Sequence, residues 1–261
     1  MSQKHTAAIQ KQFTLTVDAF SKSAIKDTPE VMAEKAAFAG PLPGDFALDV
    51  ACGPGTLALA LAPRVQFAIG IDVTHAMLKR AREFQDQQAI TRVAFTAGEA
   101  ERLPFADATF SLVTCQAAFH HMLKPESVLK EMARAVKPGG RVVIIDSIGP
   151  ESEEKWRLYN QIEKIRDPSH TASLRLTSFL KMFDDLHLEP VRQSIKRRER
   201  PFDLWMRRAG LAASDARYVE TRALLERDMR GDSAGHAPRA QGDDLVIVHH
   251  EAMFLLKRAE A

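Results

Sequence analysis

The chain has 261 residues, of which 45% are hydrophobic and 27% are charged, and its formal net charge is +2. This size and composition fit one α/β domain, or one domain with a small cap, of an ordinary globular protein. The balanced charge provides no field that would gather nucleic acid, no apolar run approaches the ~20 residues that span a bilayer, and residues 1–5 contain no apolar signal core. We therefore expect a cytoplasmic protein that binds no nucleic acid and has no stable membrane insertion, and the oligomeric state is left open.

The first 44 residues precede the main fold and are predicted to be helical. An amphipathic helix is indicated by apolar residues at near-helical spacing, with lysine and glutamine between them: Ile9, Phe13, Val17 and Phe20. Thr28 suits an N-cap and Pro29 suits the first helical position, so a second helix begins there. This helix is expected to end at the Gly- and Pro-rich residues 40–44.

Between residues 45 and 148, short apolar runs alternate with helical periodicity. The predicted strands are 46–51, 66–71, 93–96, 109–116 and 141–147, and the predicted helices are 56–62, 74–87 and 125–136. Such an alternation predicts an α/β fold with a mostly parallel sheet and helices on both faces. Cys52 and Cys115 both fall in apolar runs, where we expect buried, reduced thiols.

The last third, residues 149–261, breaks this alternation and is predicted to form a helical cap plus the final strands of the same sheet. Helices are predicted at 151–166, 176–186, 203–209 and 214–230, and strands at 191–196 and 245–256, with a polar loop at 231–242. Residues 167–170 are expected to start a helix rather than to face a ligand. The charge run 196–200 is interpreted as a solvated face rather than a phosphate site.

A glycine-containing turn after the first predicted strand carries the chemistry. Gly53 and Gly55 follow Asp49, and glycines let a tight turn form and let a ligand approach the backbone. Open parallel sheets bind ligands at the carboxyl ends of their strands. Asp72 ends the second predicted strand, where a carboxylate can accept hydrogen bonds from both ribose hydroxyls or can cap the helix that starts near Thr74.

Two cofactors fit these residues. The Gly-Pro-Gly-Thr-Leu-Ala sequence of residues 53–58 matches the dinucleotide pattern G-x-G-x-x-G/A, which places a pyrophosphate at a helix N-terminus. S-adenosylmethionine has no phosphate but has a cationic α-amino group. Asp49, just before the glycines, would repel a pyrophosphate and would attract an ammonium, so it favours S-adenosylmethionine.

Five segments in order resemble the motifs of class I S-adenosylmethionine-dependent methyltransferases, and within them the methyltransferase type 11 or menaquinone/ubiquinone C-methyltransferase-like group. These segments are 48–56 (LDVACGPGT), 70–72 with Met77 and Leu78, 98–105 (GEAERLPF), 119–121 with Leu129, and 136–141 (VKPGGR). The resemblance covers residues 45–148 strongly and the remainder loosely. Ala51 stands where the family often has glycine, and Glu99 stands where aspartate is commoner.

The resemblance implies a doubly wound, Rossmann-like, mostly parallel seven-stranded sheet with an antiparallel closing strand and a small helical cap. It divides the chain into an N-terminal helical lid segment at 1–44, an S-adenosylmethionine-binding core at 45–148, and the cap with the final strands at 149–261. It implies cofactor contacts by Gln12, Phe13, Phe20, Asp49, Ala51, Gly53, Gly55, Asp72, Thr74, Met77, Gly98, Glu99, Ala100, Gln116 and Ala117. The reaction would methylate a small-molecule acceptor, aromatic or quinone-like by analogy, at oxygen or carbon, and would leave S-adenosylhomocysteine.

His120 and His121 follow the fourth predicted strand and are the candidate general bases, because imidazole titrates near neutral pH. No metal is expected, since no third ligand accompanies this pair. His249 and His250 are interpreted as structural. Two alternatives to a methyltransferase stay open at this point: a nicotinamide-dependent oxidoreductase that uses the same turn, and a non-catalytic cofactor-binding protein.

Overall fold

The computed structural model describes residues 3–24 and 29–260, and of residues 3, 20–24 and 29 it describes only the backbone. The helices are α1 Gln3–Ala24, α2 Pro29–Phe38, α3 Thr56–Leu61, α4 His75–Gln87, α5 Pro125–Ala135, α6 Glu153–Arg166, α7 Leu176–Asp185, α8 Phe202–Arg208 and α9 Ala216–Asp228. The strands are β1 Phe46–Val50, β2 Phe67–Asp72, β3 Val93–Ala97, β4 Phe110–Gln116, β5 Val136–Ile148, β6 Leu188–Pro201, β7 Arg239–Gln241 and β8 Asp244–Arg258.

One sheet runs through the molecule in the order β3-β2-β1-β4-β5-β8-β6, and the short β7 pairs with β8. Strands β1 to β5 pair in parallel, whereas β8 is antiparallel to both β5 and β6. The predicted α/β class, seven-stranded path and antiparallel closing strand are confirmed. Because β1, β2, β4 and β5 are parallel, their carboxyl ends meet at one edge of the sheet.

Three strand predictions differ from the structure. β5 begins at Val136 rather than at residue 141, because residues 137–140 bulge out between the Phe110–Val136 and Leu112–Arg141 pairs. β6 extends to Pro201, since it pairs with β8 along almost its whole length. The predicted loop 231–242 contains β7 and the fully buried His236. Long-range pairing with β8 accounts for the longer β6 and for β7, and the early start of β5 comes from pairing with β4. Periodicity within the segments does not reveal these pairings.

Buried side chains form three clusters. Alternate residues of the central strands pack on opposite faces, with Val50 and Ile144 against α5 and α7, and Ala47 and Val143 against α2, α3 and α4. A third cluster joins α6, α8 and α9 to the first residues of β8: Ile162, Phe202, Trp205, Met206, Tyr218, Leu225, Leu245 and Ile247. This third core holds the cap above the carboxyl edge of the sheet.

Helix α1 lies across the same edge. Gln10 Nε2 donates to the Val73 carbonyl at 2.9 Å, and a ring nitrogen of His5 lies 2.7 Å from the His121 carbonyl. In the described part of the chain, no helix has the length and apolarity needed to cross a membrane.

Candidate functional site

A cavity of about 260 Å³ opens at the carboxyl edge, between the strand ends, α1 and the cap. Two parts of its wall differ in origin. The strand-end half comprises residues at or after the carboxyl ends of β1, β2, β3 and β4: Asp49, Ala51, Cys52, Gly53, Asp72, Thr74, Met77, Gly98, Ala100, Gln116 and Ala117. The cap half comprises His120, His121, Asp146, Glu163, Arg166, Asp167, His170, Arg200, Trp205, Arg208 and His249.

The turn between β1 and α3 depends on left-handed backbone. Ala51, Gly53 and Gly55 have φ values of 53°, 52° and 76°. A Cβ on Gly55 would lie 2.6 Å from the Phe95 ring, so only glycine fits there. Ala51 does not have this freedom and adopts a conformation that L-residues disfavour.

Asp72 connects this turn to α4. Its Oδ2 accepts the Gly53 N–H at 2.8 Å, and its Oδ1 accepts the Thr74 N–H at 2.7 Å. Burial raises the pKa of Asp72, while these backbone hydrogen bonds act against the rise. Each carboxylate oxygen can accept a second hydrogen bond, so the role in the turn leaves room for a ligand hydroxyl.

Asp49 lies beneath the turn at the end of β1. Thr114 Oγ1 on β4 donates to its Oδ1 at 2.7 Å. Burial raises the pKa of Asp49 to about 7, although this hydrogen bond opposes the rise. No cation pairs with Asp49 among the described residues, so the buried carboxyl favours a positively charged ligand group at this point.

Most of the predicted cofactor residues meet at the cavity, namely the strand-end half apart from Cys52, together with Gln12 and Phe13 of α1. Gly55 and Glu99 do not line it: Gly55 packs against Phe95, and Glu99 is exposed in a turn with Arg102. The predicted contact of Phe20 lies outside the described side chains. The side-chain oxygen Oε1 of Gln116 is buried and has no hydrogen-bond partner among the described residues, so it can accept a hydrogen bond from a ligand.

His120 is oriented by a buried carboxylate. Its Nδ1 lies 2.6 Å from Asp146 Oδ1, and Asp146 Oδ2 accepts the backbone N–H groups of Ala118 and Phe119. Burial would lower the pKa of His120, but the charge and hydrogen bond of Asp146 outweigh burial and raise it. Nε2 forms no hydrogen bond to any described residue, so it is available to a ligand in the cavity.

His121 and His170 stay neutral at neutral pH. Burial, reinforced by the neighbouring His120, lowers the pKa of His121 to about 4, and burial lowers that of His170 to about 3. The ring of His121 also contacts Phe13 edge-on, with the centroids 5.0 Å apart. The geometry therefore separates the two candidate bases, and only His120 has a carboxylate partner.

Several residues of the cap half differ from what their sequence pattern predicts. The segment 167–170 does not start a helix, since α7 begins at Leu176, and Asp167 and His170 face the cavity. His249 also lines the cavity, and its Nε2 lies 2.7 Å from Glu163 Oε1. The charge run 196–200 is not uniformly solvated, because Arg200 is half-buried and faces the cavity.

Asp146, Glu163, Arg166 and Arg200 were missed by the sequence reasoning. The sequence contains a signal for Asp146, because this carboxylate follows the apolar run 142–145 of β5. Asp49 and Asp72 occupy similar positions at the ends of the apolar runs of β1 and β2. The other three lie on a cap helix and on an edge strand, where charged residues are ordinary. Nothing in their spacing distinguishes them from solvated charges.

Comparison with known proteins relates this chain to a family of enzymes. A family model described as a methyltransferase domain matches residues 48–144. YcgJ, an uncharacterized methyltransferase of Bacillus subtilis (strain 168), is 34% identical over 176 residues, which are 67% of this chain and 69% of that protein. A demethylmenaquinone methyltransferase of Clavibacter sepedonicus is 28% identical over 202 residues, 76% of this chain and 79% of that protein.

Solved structures agree with the fold. A crystal structure assigned to a methyltransferase of Bacillus halodurans C-125 has a TM-score of 0.82 and 26% identity, and the match covers 88% of this chain and 99% of that chain. None of these matches points to a nicotinamide-dependent oxidoreductase, the alternative that the glycine pattern left open.

Proposed function

This chain belongs to the class I S-adenosylmethionine-dependent methyltransferases, and we propose that it methylates an aromatic or quinone-like small molecule at oxygen or carbon. Its cofactor is S-adenosylmethionine, which leaves as S-adenosylhomocysteine. One observation carries the proposal: a single cavity joins the turn held by Asp72 to an imidazole, His120, that a buried carboxylate orients.

The strand-end half suits this cofactor at residue level. Asp49 and the unpartnered Oε1 of Gln116 offer two buried acceptors to the α-ammonium group. Asp72 would accept the ribose hydroxyls, and Met77 and Ala100 would pack against the adenine. We propose that residues 1–44 act as a lid, because Gln12 and Phe13 of α1 close the cavity from the outside.

When bound, S-adenosylmethionine supplies an electrophilic methyl group on a positively charged sulfur, whose bond to the methyl breaks as the acceptor bonds to it. The protein's tasks are then orientation and exclusion of water. A phenol or quinol acceptor must also lose a proton, and we assign that proton to Nε2 of His120. Asp146 acts as a positioning residue, since it fixes the ring through Nδ1 and stabilises the imidazolium that forms.

An aromatic acceptor is supported by the rings that line the cavity. Phe13, Trp205 and the imidazoles of His121 and His170 all line it. The demethylmenaquinone methyltransferase of Clavibacter sepedonicus gives a second, more distant hint at quinone-like acceptors.

Transfer of labelled methyl groups to a panel of phenols and quinols tests the function. We expect His120→Ala to lower kcat about 100-fold, the usual effect of removing a general base, with the affinity for S-adenosylhomocysteine retained. His121→Ala should lower kcat less, because a pKa of about 4 makes that imidazole a weak base and its Nδ1 contacts Ser169. Normal turnover across pH in both variants would exclude both as bases.

The pH profile separates a base from a structural residue. Because Asp146 raises the pKa of His120, the neutral, basic form dominates only above that raised value, so turnover should rise with pH through it. Asp146→Asn should move this rise to lower pH and reduce its plateau. An unmoved profile would count against the assigned roles.

A further inference from the structure

Three arginines from three separate elements belong to the cap half of the cavity. Arg166 ends α6, Arg200 lies near the end of β6, and Arg208 ends α8, and all three line the same cavity. Trp205 forms part of the same wall. We call these four residues the basic end.

Arg166 is fixed in place. Its guanidinium lies 4.6 Å from the centre of the Trp205 ring, and its Nε donates to the Trp205 carbonyl at 3.1 Å. The nearest carboxylate oxygen, Glu163 Oε2, is 3.7 Å from Nη1, which is longer than a hydrogen bond. The terminal nitrogens of Arg166 therefore form no hydrogen bond to any described residue.

Arg200 carries an uncompensated charge. It is half-buried, and with the part of the chain that the structure describes it forms neither a hydrogen bond nor an ion pair. Its neighbour on the same face, Arg198, pairs with Glu251 at 2.8 Å. Arg200 also lines a second cavity of about 160 Å³.

The carboxylates nearby are already engaged. Glu163 accepts from His249, Glu251 accepts from Lys35 and Arg198, and Asp167 accepts from Ser169. A partly desolvated guanidinium without an anion is costly, and a ligand anion that compensated it would be bound strongly. The planar guanidinium matches the oxygens of a carboxylate or phosphate, which it can bind in a bidentate manner.

We propose that the methyl acceptor carries an oxyanion group, a carboxylate or a phosphate, which Arg200 and Arg166 bind at the basic end while Trp205 contacts its apolar body. This inference rests on the proposed function, because it describes the substrate of that same cavity. It adds a charge requirement to the acceptor that a neutral phenol or quinol does not meet.

A cation at this end is the competing hypothesis. Glu163, His236 and His249 are buried and offer three ligand atoms within 4.8 Å of one another. However, Oε1 of Glu163 lies within reach of both imidazoles, at 2.7 and 3.4 Å, and Arg166 is 3.7 Å from Oε2. Positive charge beside the three ligands disfavours a metal ion and favours an anion.

Calorimetry on the protein saturated with S-adenosylhomocysteine tests the proposal without any turnover. The probes are 4-hydroxybenzoate, phenyl phosphate and the neutral 4-hydroxybenzyl alcohol. We expect at least one anionic probe to bind about tenfold more tightly than the neutral one, and Arg200→Gln to abolish that preference. Arg197→Gln is the matched control, because it removes the same charge from an exposed position on the same strand and should retain the preference.

Equal affinity for the charged and neutral probes, or a preference that persists in Arg200→Gln, would overturn the proposal. Stoichiometric binding of Zn²⁺ that is lost in His249→Ala and unchanged in Arg200→Gln would assign this end to a cation and would also overturn it. Because the readout is binding, failure of the anion site leaves the role of His120 standing. Conversely, loss of methyl transfer in every assay leaves an Arg200-dependent anion site intact.

Discussion

The strand-end half and the cap half of one cavity are built in different ways. The strand-end half is formed by the ends of β1, β2, β3 and β4 and the turns after them, and its key contacts are backbone N–H groups bound to a carboxylate. The cap half is assembled from side chains of the segment after β4, of β5, of α6 and the loop after it, and of β6, α8 and β8, which are far apart in sequence. A separate apolar core holds α6, α8 and the first residues of β8. The first arrangement suits a constant cofactor, and the second can change its ligand by single substitutions.

The largest predicted effect is on cofactor affinity, which a substitution in the strand-end half should lower and one in the cap half should not. We expect Asp72→Ala to weaken S-adenosylhomocysteine binding about 100-fold, because the variant cannot form the two charge-assisted hydrogen bonds to the ribose that we propose for Asp72. The Gly53 and Thr74 N–H groups would also lose their acceptor. Glu163→Gln, in the cap half, should leave the affinity within about twofold. If calorimetry shows similar losses of S-adenosylhomocysteine affinity in both variants, the two halves do not differ in cofactor binding.

The positions of residues in the strand-end half can be predicted from the sequence, whereas most of those in the cap half cannot. Asp49, Gly53 and Asp72 lie in contiguous segments with a local backbone pattern, so their positions at the strand ends follow from chain order. Gly55, which was predicted as a ligand contact, does not line the cavity and lies close to Phe95, a contact between separate segments that the local pattern does not show.

The cap half could not be predicted in this way. Whether Arg200 faces the cavity or solvent depends on the register of β6 against β8, where a bulge lies between the Pro190–Leu256 and Arg192–Leu255 pairs. A shift of one residue exchanges the two faces of a strand, and the alternating charges of this strand give no apolar signal that fixes the register. The His249–Glu163 contact likewise joins residues 86 positions apart.

A smaller effect concerns the charge state of Asp49. Its pKa of about 7 means that the carboxyl is largely protonated at pH 6 and ionised at pH 8. The positively charged ammonium of the cofactor favours the ionised form of Asp49. At low pH the Asp49 carboxyl must therefore lose its proton when the cofactor binds, and this weakens binding. We expect the affinity for S-adenosylhomocysteine to fall about tenfold between about pH 8 and about pH 6.

Asp49→Asn is the control for that titration. The amide cannot ionise, so this variant should bind more weakly at pH 8 and should show little further change with pH. If the tenfold change persists in Asp49→Asn, the titrating group lies elsewhere, and Asp72, whose pKa burial also raises, becomes the candidate. A mutation in the cap half, such as Glu163→Gln, should leave the pH dependence as in the unmodified chain.

The smallest predicted effect addresses backbone strain in the turn. Ala51 has a φ of 53°, which costs an L-residue about 1–2 kcal/mol, while glycine there would add about 0.5–1 kcal/mol of unfolded-state entropy. Ala51→Gly should therefore stabilise the protein by about 0.5–1 kcal/mol in denaturant unfolding, with cofactor affinity within about twofold. Ala89→Gly, at a φ of 51° after α4, provides the matched control and should stabilise similarly without touching the cavity.

A gain in stability at residue 89 but a loss at residue 51 would mean that the Ala51 methyl group makes contacts worth more than the strain. The turn in the strand-end half would then depend on a side-chain contact, as the cap half does. The two halves would differ only in the carboxylates that bind backbone N–H groups. Equal gains at both positions would instead show that backbone conformation decides the stability of the turn at Ala51, where glycine is favoured over alanine.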